Sequence, residues 1–121
     1  MKTLLLLWKV FDYSLQGIRN TFYDEIVFRI ELGVAVILIP AGLLLPVSLI
    51  VHILLIVSVF LVLIIELSNT AVEAAVNRIS TEQHTLSAKA KDAGSAAVLM
   101  ASINLVVVWG IVLFDLIFNI S

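Results

Sequence analysis

The stretch LIIELSNTAVEAAVNR, residues 63–78, begins as lipid-soluble helix and then places Glu66, Asn69, Glu73 and Asn77 at spacings of 3, 4 and 4. At 100° per residue the four side chains fall within an arc of about 80°, one polar stripe over three helical turns. An acid in a membrane span costs about 2.5–3.5 kcal/mol at mid-bilayer on insertion scales, and less toward the surface. The stripe must therefore face protein or water. A ladder of interhelical hydrogen bonds would suit Asn69 and Asn77. It suits the two acids poorly, because ionised carboxylates supply no donors and repel each other. Carboxylates beside a side-chain amide are hard oxygen ligands, suited to Mg²⁺. Lys89 and Lys91 follow soon after and are cations able to meet phosphate. Taken alone, these residues reach metal–phosphate chemistry at a membrane surface and stop there.

The elements that must position them are membrane helices. The chain has 121 residues, 62% of them hydrophobic, and a mean hydropathy of +1.18, a composition that points to a membrane protein. Leu32 to Val51 and Ala93 to Phe114 each run without a charged residue or histidine for the roughly 20 residues that a span needs. Ile53 to Ile65 qualifies only if its helix continues through Glu66 and Asn69. None of the seven Lys and Arg lies between the first two spans or at the C-terminus. The positive-inside rule then puts the N-terminus in the cytoplasm and the C-terminus outside. Upstream, Leu4, Trp8, Phe11, Leu15, Ile18 and Phe22 recur at helical spacing, which predicts an amphipathic helix on the inner membrane face. The start MKTLLLLWKVF has too short an apolar run for a cleaved leader.

The expected architecture is all-α: a surface helix over about 4–23 and spans over about 29–46, 49–78 and 92–118, in one membrane domain covering 1–121. Pro40 is a candidate kink, and Pro46 marks the outer turn, with His52 near the outer surface. Ala93, Ala97 and Ala101, with Gly94 and Ser95, would let helices pack closely in lipid. Asn104 reads as an interhelical hydrogen-bonding residue and Trp109 as an interfacial anchor. Three spans are few to hide the stripe, so self-association is expected. There are no cysteines, which excludes disulfides and thiolate metal sites. The P-loop, dinucleotide-binding and protein-kinase motifs are all missing, which with the small size excludes the soluble nucleotide-binding folds. No nucleic-acid partner is expected.

The segment IELSNTAVEAAVNRISTEQHTLSAKAKDAGSAAV resembles the pattern of the prokaryotic diacylglycerol kinases, close to E-x-x-N-[ST]-A-[IV]-E followed by A-K-D and a run of small residues. GIRNTFYDEIVFRIE resembles that family's segment before the first span. The resemblance implies transfer of the γ-phosphate of MgATP to diacylglycerol, yielding phosphatidic acid, by a homotrimer in a bacterial inner membrane with sites shared between subunits. It makes Glu66 the general base, oriented by Asn69, and gives Mg²⁺ to Glu25 and Glu73. It assigns ATP contacts to Tyr13, Glu82, His84, Lys91 and Asp92, along with Glu25 and Glu73. It assigns lipid contacts to Arg19, Glu31, Ser95 and Trp109, along with Glu66.

Without the resemblance several of these have plainer readings. Glu25 could pair with Arg29 one turn on, His84 could be a solvated loop residue, and Lys91 a positive-inside anchor. Ser95 could be a packing residue and Tyr13 an interfacial aromatic. Two positions depart from the family pattern: Asn77 stands where relatives often carry Asp, and Leu6 where some carry Arg. An undecaprenol kinase of similar design is the alternative. A small proton-coupled exporter and a non-catalytic membrane scaffold are more remote, since neither calls for A-K-D in a loop.

Overall fold

The computed structural model describes residues 1–79 and 84–118. They form four helices: α1 (Lys2–Asp24), α2 (Ile26–Leu44), α3 (Leu49–Ile79) and α4 (Thr85–Phe118). Three of them, α2, α3 and α4, are long and apolar enough to cross a membrane. The chain is an all-α membrane protein.

Each break between helices has a local cause. Glu25 alone separates α1 from α2, in an extended conformation (φ −118°, ψ 110°). The corner is closed by Arg29, whose guanidinium reaches back to the carbonyls of Phe22 (2.8 Å) and Tyr23 (2.9 Å). These belong to the last turn of α1 and have no acceptor role inside the helix. Arg29 thus caps α1 and does not pair with Glu25.

At the other end, α2 stops at Leu44, two residues short of the expected 46. Leu45 precedes Pro46 and is extended (φ −69°, ψ 142°), as steric conflict with the proline ring requires. Ser48 then caps α3, its Oγ accepting from Val51 N at 3.3 Å. The His52 ring lies 2.9 Å from the Leu45 carbonyl, so it ties this turn together and is not a bare surface residue. Pro40 sits inside α2, which runs on through it.

Helix α4 starts at Thr85, about two turns before the span expected from 92. His84 makes this possible: its Nδ1 accepts from Leu86 N at 3.1 Å and so serves as the side-chain cap. The polar residues Lys89, Lys91 and Asp92 are therefore helical, on the part of α4 that precedes its apolar run.

The core lies in the half of the bundle near the α2–α3 turn. Ala35, Leu55, Val59 and Trp109 form it. Trp109 is only 8% exposed, and its Nε1–H donates to Ser58 Oγ (3.1 Å) and the Leu55 carbonyl (3.3 Å). Gly42 makes room for the indole, since a Cβ there would sit 3.1 Å from its outer ring edge. The expectation of an interfacial anchor is thus corrected: indole and hydroxyl satisfy each other inside the protein. Of the small residues on α4, Ala101 is buried and Gly94 packs on α3, whereas Ala93 and Ala97 are exposed. Asn104 is exposed on the protomer.

The central element is α3, packed mainly on α4, then on α2. The contact of α1 with the others is slight, and Thr21 is its only buried residue. The apolar stripe of α1 stays exposed, with Leu4 at 66% and Trp8 at 69%. No protein covers that face in the protomer, which is the condition of a helix lying on a membrane.

Candidate active site

α3 has 31 residues and so spans about 46 Å, against about 30 Å of hydrocarbon. Measured from Leu49, Glu66 lies about 26 Å along the helix and Glu73 about 36 Å. A hydrocarbon layer about 30 Å deep reckoned from Leu49 would end between the two acids. Burial follows the same gradient: Glu66 (6% exposed) and Asn69 (9%) are buried, Glu73 is half-buried and Asn77 is exposed. The stripe is enclosed by protein at one end and exposed on the protomer at the other.

Within it, Asn69 Nδ2 donates to Glu73 Oε1 at 3.2 Å. Among the described residues, Asn69 Oδ1 is buried without a donor, and so is Glu31 Oε1 on α2. Glu66 feels the charges of Glu73 and Glu25, and Glu31 feels that of Glu66. Four acids thus converge from α2, α3 and the α1–α2 corner. No ion pair relieves them among the described residues.

The water-side end opens into a cleft of about 360 Å³ between α1 and α3. From α1 come Gly17, Asn20, Thr21 and Asp24, and the corner contributes Glu25. From α3 come Thr70, Glu73, Ala74 and Asn77. Glu25 and Glu73 therefore share one cavity. Sequence reasoning missed Asn20, Thr21, Asp24 and Thr70. The signal was available: 17, 20, 21 and 24 follow the spacing of one helical face, matching the polar stripe opposite. Among the described residues, no three His, Cys, Asp or Glu side chains are arranged to hold a metal by themselves.

A second, solvent-open cleft of about 540 Å³ lies along the start of α4, lined by His84, Thr85, Ala88, Lys89 and Asp92. Capping occupies His84 Nδ1, which leaves Nε2 as the ring nitrogen free for a ligand. Lys91 is half-buried and lies about 100° round the helix from Asp92, toward the flank that meets α3. Neither of these two clefts is lined by both Asp92 and Glu73.

Comparison with known proteins places this arrangement. Residues 12–113 match the family model described as prokaryotic diacylglycerol kinase. The chain belongs to the prokaryotic diacylglycerol kinase family. The diacylglycerol kinase of Haemophilus influenzae (strain ATCC 51907 / DSM 11121 / KW20 / Rd) is 50% identical over 102 residues, 84% of this chain and 86% of that protein. That of Escherichia coli (strain K12) is 49% identical over 108 residues, 88% of each. That of Pseudomonas aeruginosa (strain PAO1) is 45% identical over 101 residues, 84% of this chain and 82% of the relative.

The stretch shared with the diacylglycerol kinase family includes both clefts and the whole polar stripe. The remaining site candidates are scattered around them. Tyr13 is exposed one turn before Gly17, on the cleft-facing side of α1. Arg19 is exposed about 200° round from Gly17 and so points away from the cleft. Ser95 is exposed beside Gly94. Trp109, expected at the lipid site, is enclosed by Gly42, Leu55 and Ser58. It also lies 14 residues, about 21 Å, beyond Ser95 along α4. Glu82 lies outside the described residues.

Proposed function

We propose that this protein transfers the γ-phosphate of ATP to the free hydroxyl of diacylglycerol at the cytoplasmic face of a bacterial inner membrane. The observation that supports the reading is the burial gradient along α3, from a buried Glu66 to a half-buried Glu73 that lines an open cleft. The named relatives are diacylglycerol kinases, which supports the choice of lipid.

In this reading Glu66 accepts the proton of the lipid hydroxyl as its oxygen attacks the γ-phosphorus. The new O–P bond forms, the bond to the β-phosphate oxygen breaks, and ADP leaves. A diacylglycerol molecule meets Glu66 without leaving the bilayer, while ATP arrives from water. Glu31 and Ser95 flank the lipid headgroup, and Arg19 meets it from the surface helix. His84, Lys91 and Asp92 hold the nucleotide, with Tyr13 and Glu82 at its edges.

Glu25 and Glu73 fit a divalent cation. They are hard oxygen donors in one cleft and, among the described residues, neither is in an ion pair. Two carboxylates leave room for phosphate oxygens and water, the shell that Mg²⁺ prefers. Bound Mg²⁺ would neutralise charge on the phosphates. Asn69 holds Glu73 in place through its Nδ2–H, and Glu25 is fixed by the corner that Arg29 caps.

A homotrimer covers the exposed faces of α4 and brings the second cleft of one subunit toward the stripe of another. The cation distribution supports an N-terminus inside and a C-terminus outside. The test is phosphorylation by the purified protein in mixed micelles with MgATP and either diacylglycerol or undecaprenol. Labelled phosphatidic acid is expected. Product with undecaprenol alone would assign the other lipid, and product with neither would overturn a kinase role.

A further inference from the structure

We propose that Gly94 is a positioning residue for phosphoryl transfer: its bare Cα fixes the Asn69 carboxamide so that Nδ2 meets Glu73. The inference rests on the assignment of Glu73 to the metal and nucleotide. Three observations carry it. Asn69 Nδ2 donates to Glu73 Oε1 at 3.2 Å. Asn69 Oδ1 is buried and accepts no hydrogen bond. A Cβ built on Gly94 would overlap Asn69 Oδ1 and lie 3.2 Å from its Cγ.

A carboxamide can rotate, and its orientation is normally set by hydrogen bonds at both ends. Here only the nitrogen end has one. The oxygen end is set by contact with the backbone of α4, at a distance that glycine alone permits. α4 therefore reaches the metal site without supplying a ligand. It acts as a wall behind Asn69, and Asn69 in turn orients a carboxylate of the cation site. Groups that orient a metal ligand in this way commonly weigh about 10–100-fold in metal affinity.

The substitution Gly94→Ala tests this cleanly. Alanine is the better helix former. The atom its methyl group would strike is the far end of a flexible side chain, so the helix pair survives while the amide swings away. The readout is binding of Mn²⁺ with a non-hydrolysable ATP analogue, followed by electron paramagnetic resonance on the full-length protein in micelles. Thermal melting runs alongside.

Gly94→Ala is expected to weaken Mn²⁺ binding about tenfold with an unchanged Tm. In an Asn69→Ala background the same change is expected to do nothing further, because the amide atoms that a Cβ at Gly94 meets first are gone. An equal loss in both backgrounds, unchanged Mn²⁺ binding in Gly94→Ala, or a collapse of its Tm would each overturn the inference. If Asn69→Ala itself left Mn²⁺ binding intact, the reading of the site would fall first.

Discussion

The two ends of α3 solve opposite problems with similar parts. Toward the α2–α3 turn, Ser58 and Trp109 are polar groups buried in an apolar core, and each finds its partner there: indole to hydroxyl, hydroxyl to the Leu55 carbonyl at 2.7 Å. Toward the other end, Glu66, Asn69 and Glu73 are buried or half-buried, yet carboxylates crowd together and an amide oxygen lacks a donor. Buried polar groups without partners are costly. One region is closed and self-sufficient. The other combines acids with an amide oxygen that has no donor among the described residues, an arrangement that suits the proposed metal–nucleotide site. The same helix thus carries the scaffold and the proposed chemistry, separated by length alone.

That contrast can be broken by substitution. The largest effect belongs to Glu66→Gln, nearly isosteric, which should lower turnover about 10²–10⁴-fold while thermal melting and oligomer size stay as they are. Activity within about threefold of wild type would remove Glu66 from the chemistry. Next come Glu25→Gln and Glu73→Gln. Each should raise the Mg²⁺ concentration for half-maximal rate by at least about tenfold. The double variant should lose much less than the product of the single losses, because both groups serve one ion. Independent losses with unchanged Mg²⁺ dependence would mean that the shared cleft is not a shared site. The smallest effect on turnover belongs to Trp109→Phe at the other end. It should cost about 1 kcal/mol of stability, read by denaturant titration in micelles, with turnover per folded molecule near wild type. A large fall in turnover at unchanged stability would dissolve the distinction between the two ends.

The stripe was legible because helical periodicity alone puts positions 66, 69, 73 and 77 on one face, and the structure keeps them there. The three spans were legible from apolar length, with ends displaced by local rules: the pre-proline conformation of Leu45 and the capping ring of His84. Pairings across elements were not legible. Nothing in the spacing of α4 says that Trp109 turns inward onto Ser58, since an indole fits a membrane interface and a core equally well. Nor does it say that Gly94, one small residue among several, is the one that meets Asn69. The α1 side of the cleft was hidden for another reason. Asn20, Thr21 and Asp24 look like the solvated face of an amphipathic helix until α3 is laid beside them.

The central claim is that the stripe divides its labour, the lipid-side acid moving a proton and the water-side acid holding the metal nucleotide. The most direct test measures the Mg²⁺-dependent dissociation constant of a non-hydrolysable ATP analogue for the wild-type, Glu66→Gln and Glu73→Gln proteins in the same micelles. Glu66→Gln should bind it within about twofold of wild type despite its lost turnover, whereas Glu73→Gln should bind it at least about tenfold more weakly. Equal weakening in both variants, or weakening in Glu66→Gln alone, would contradict the division.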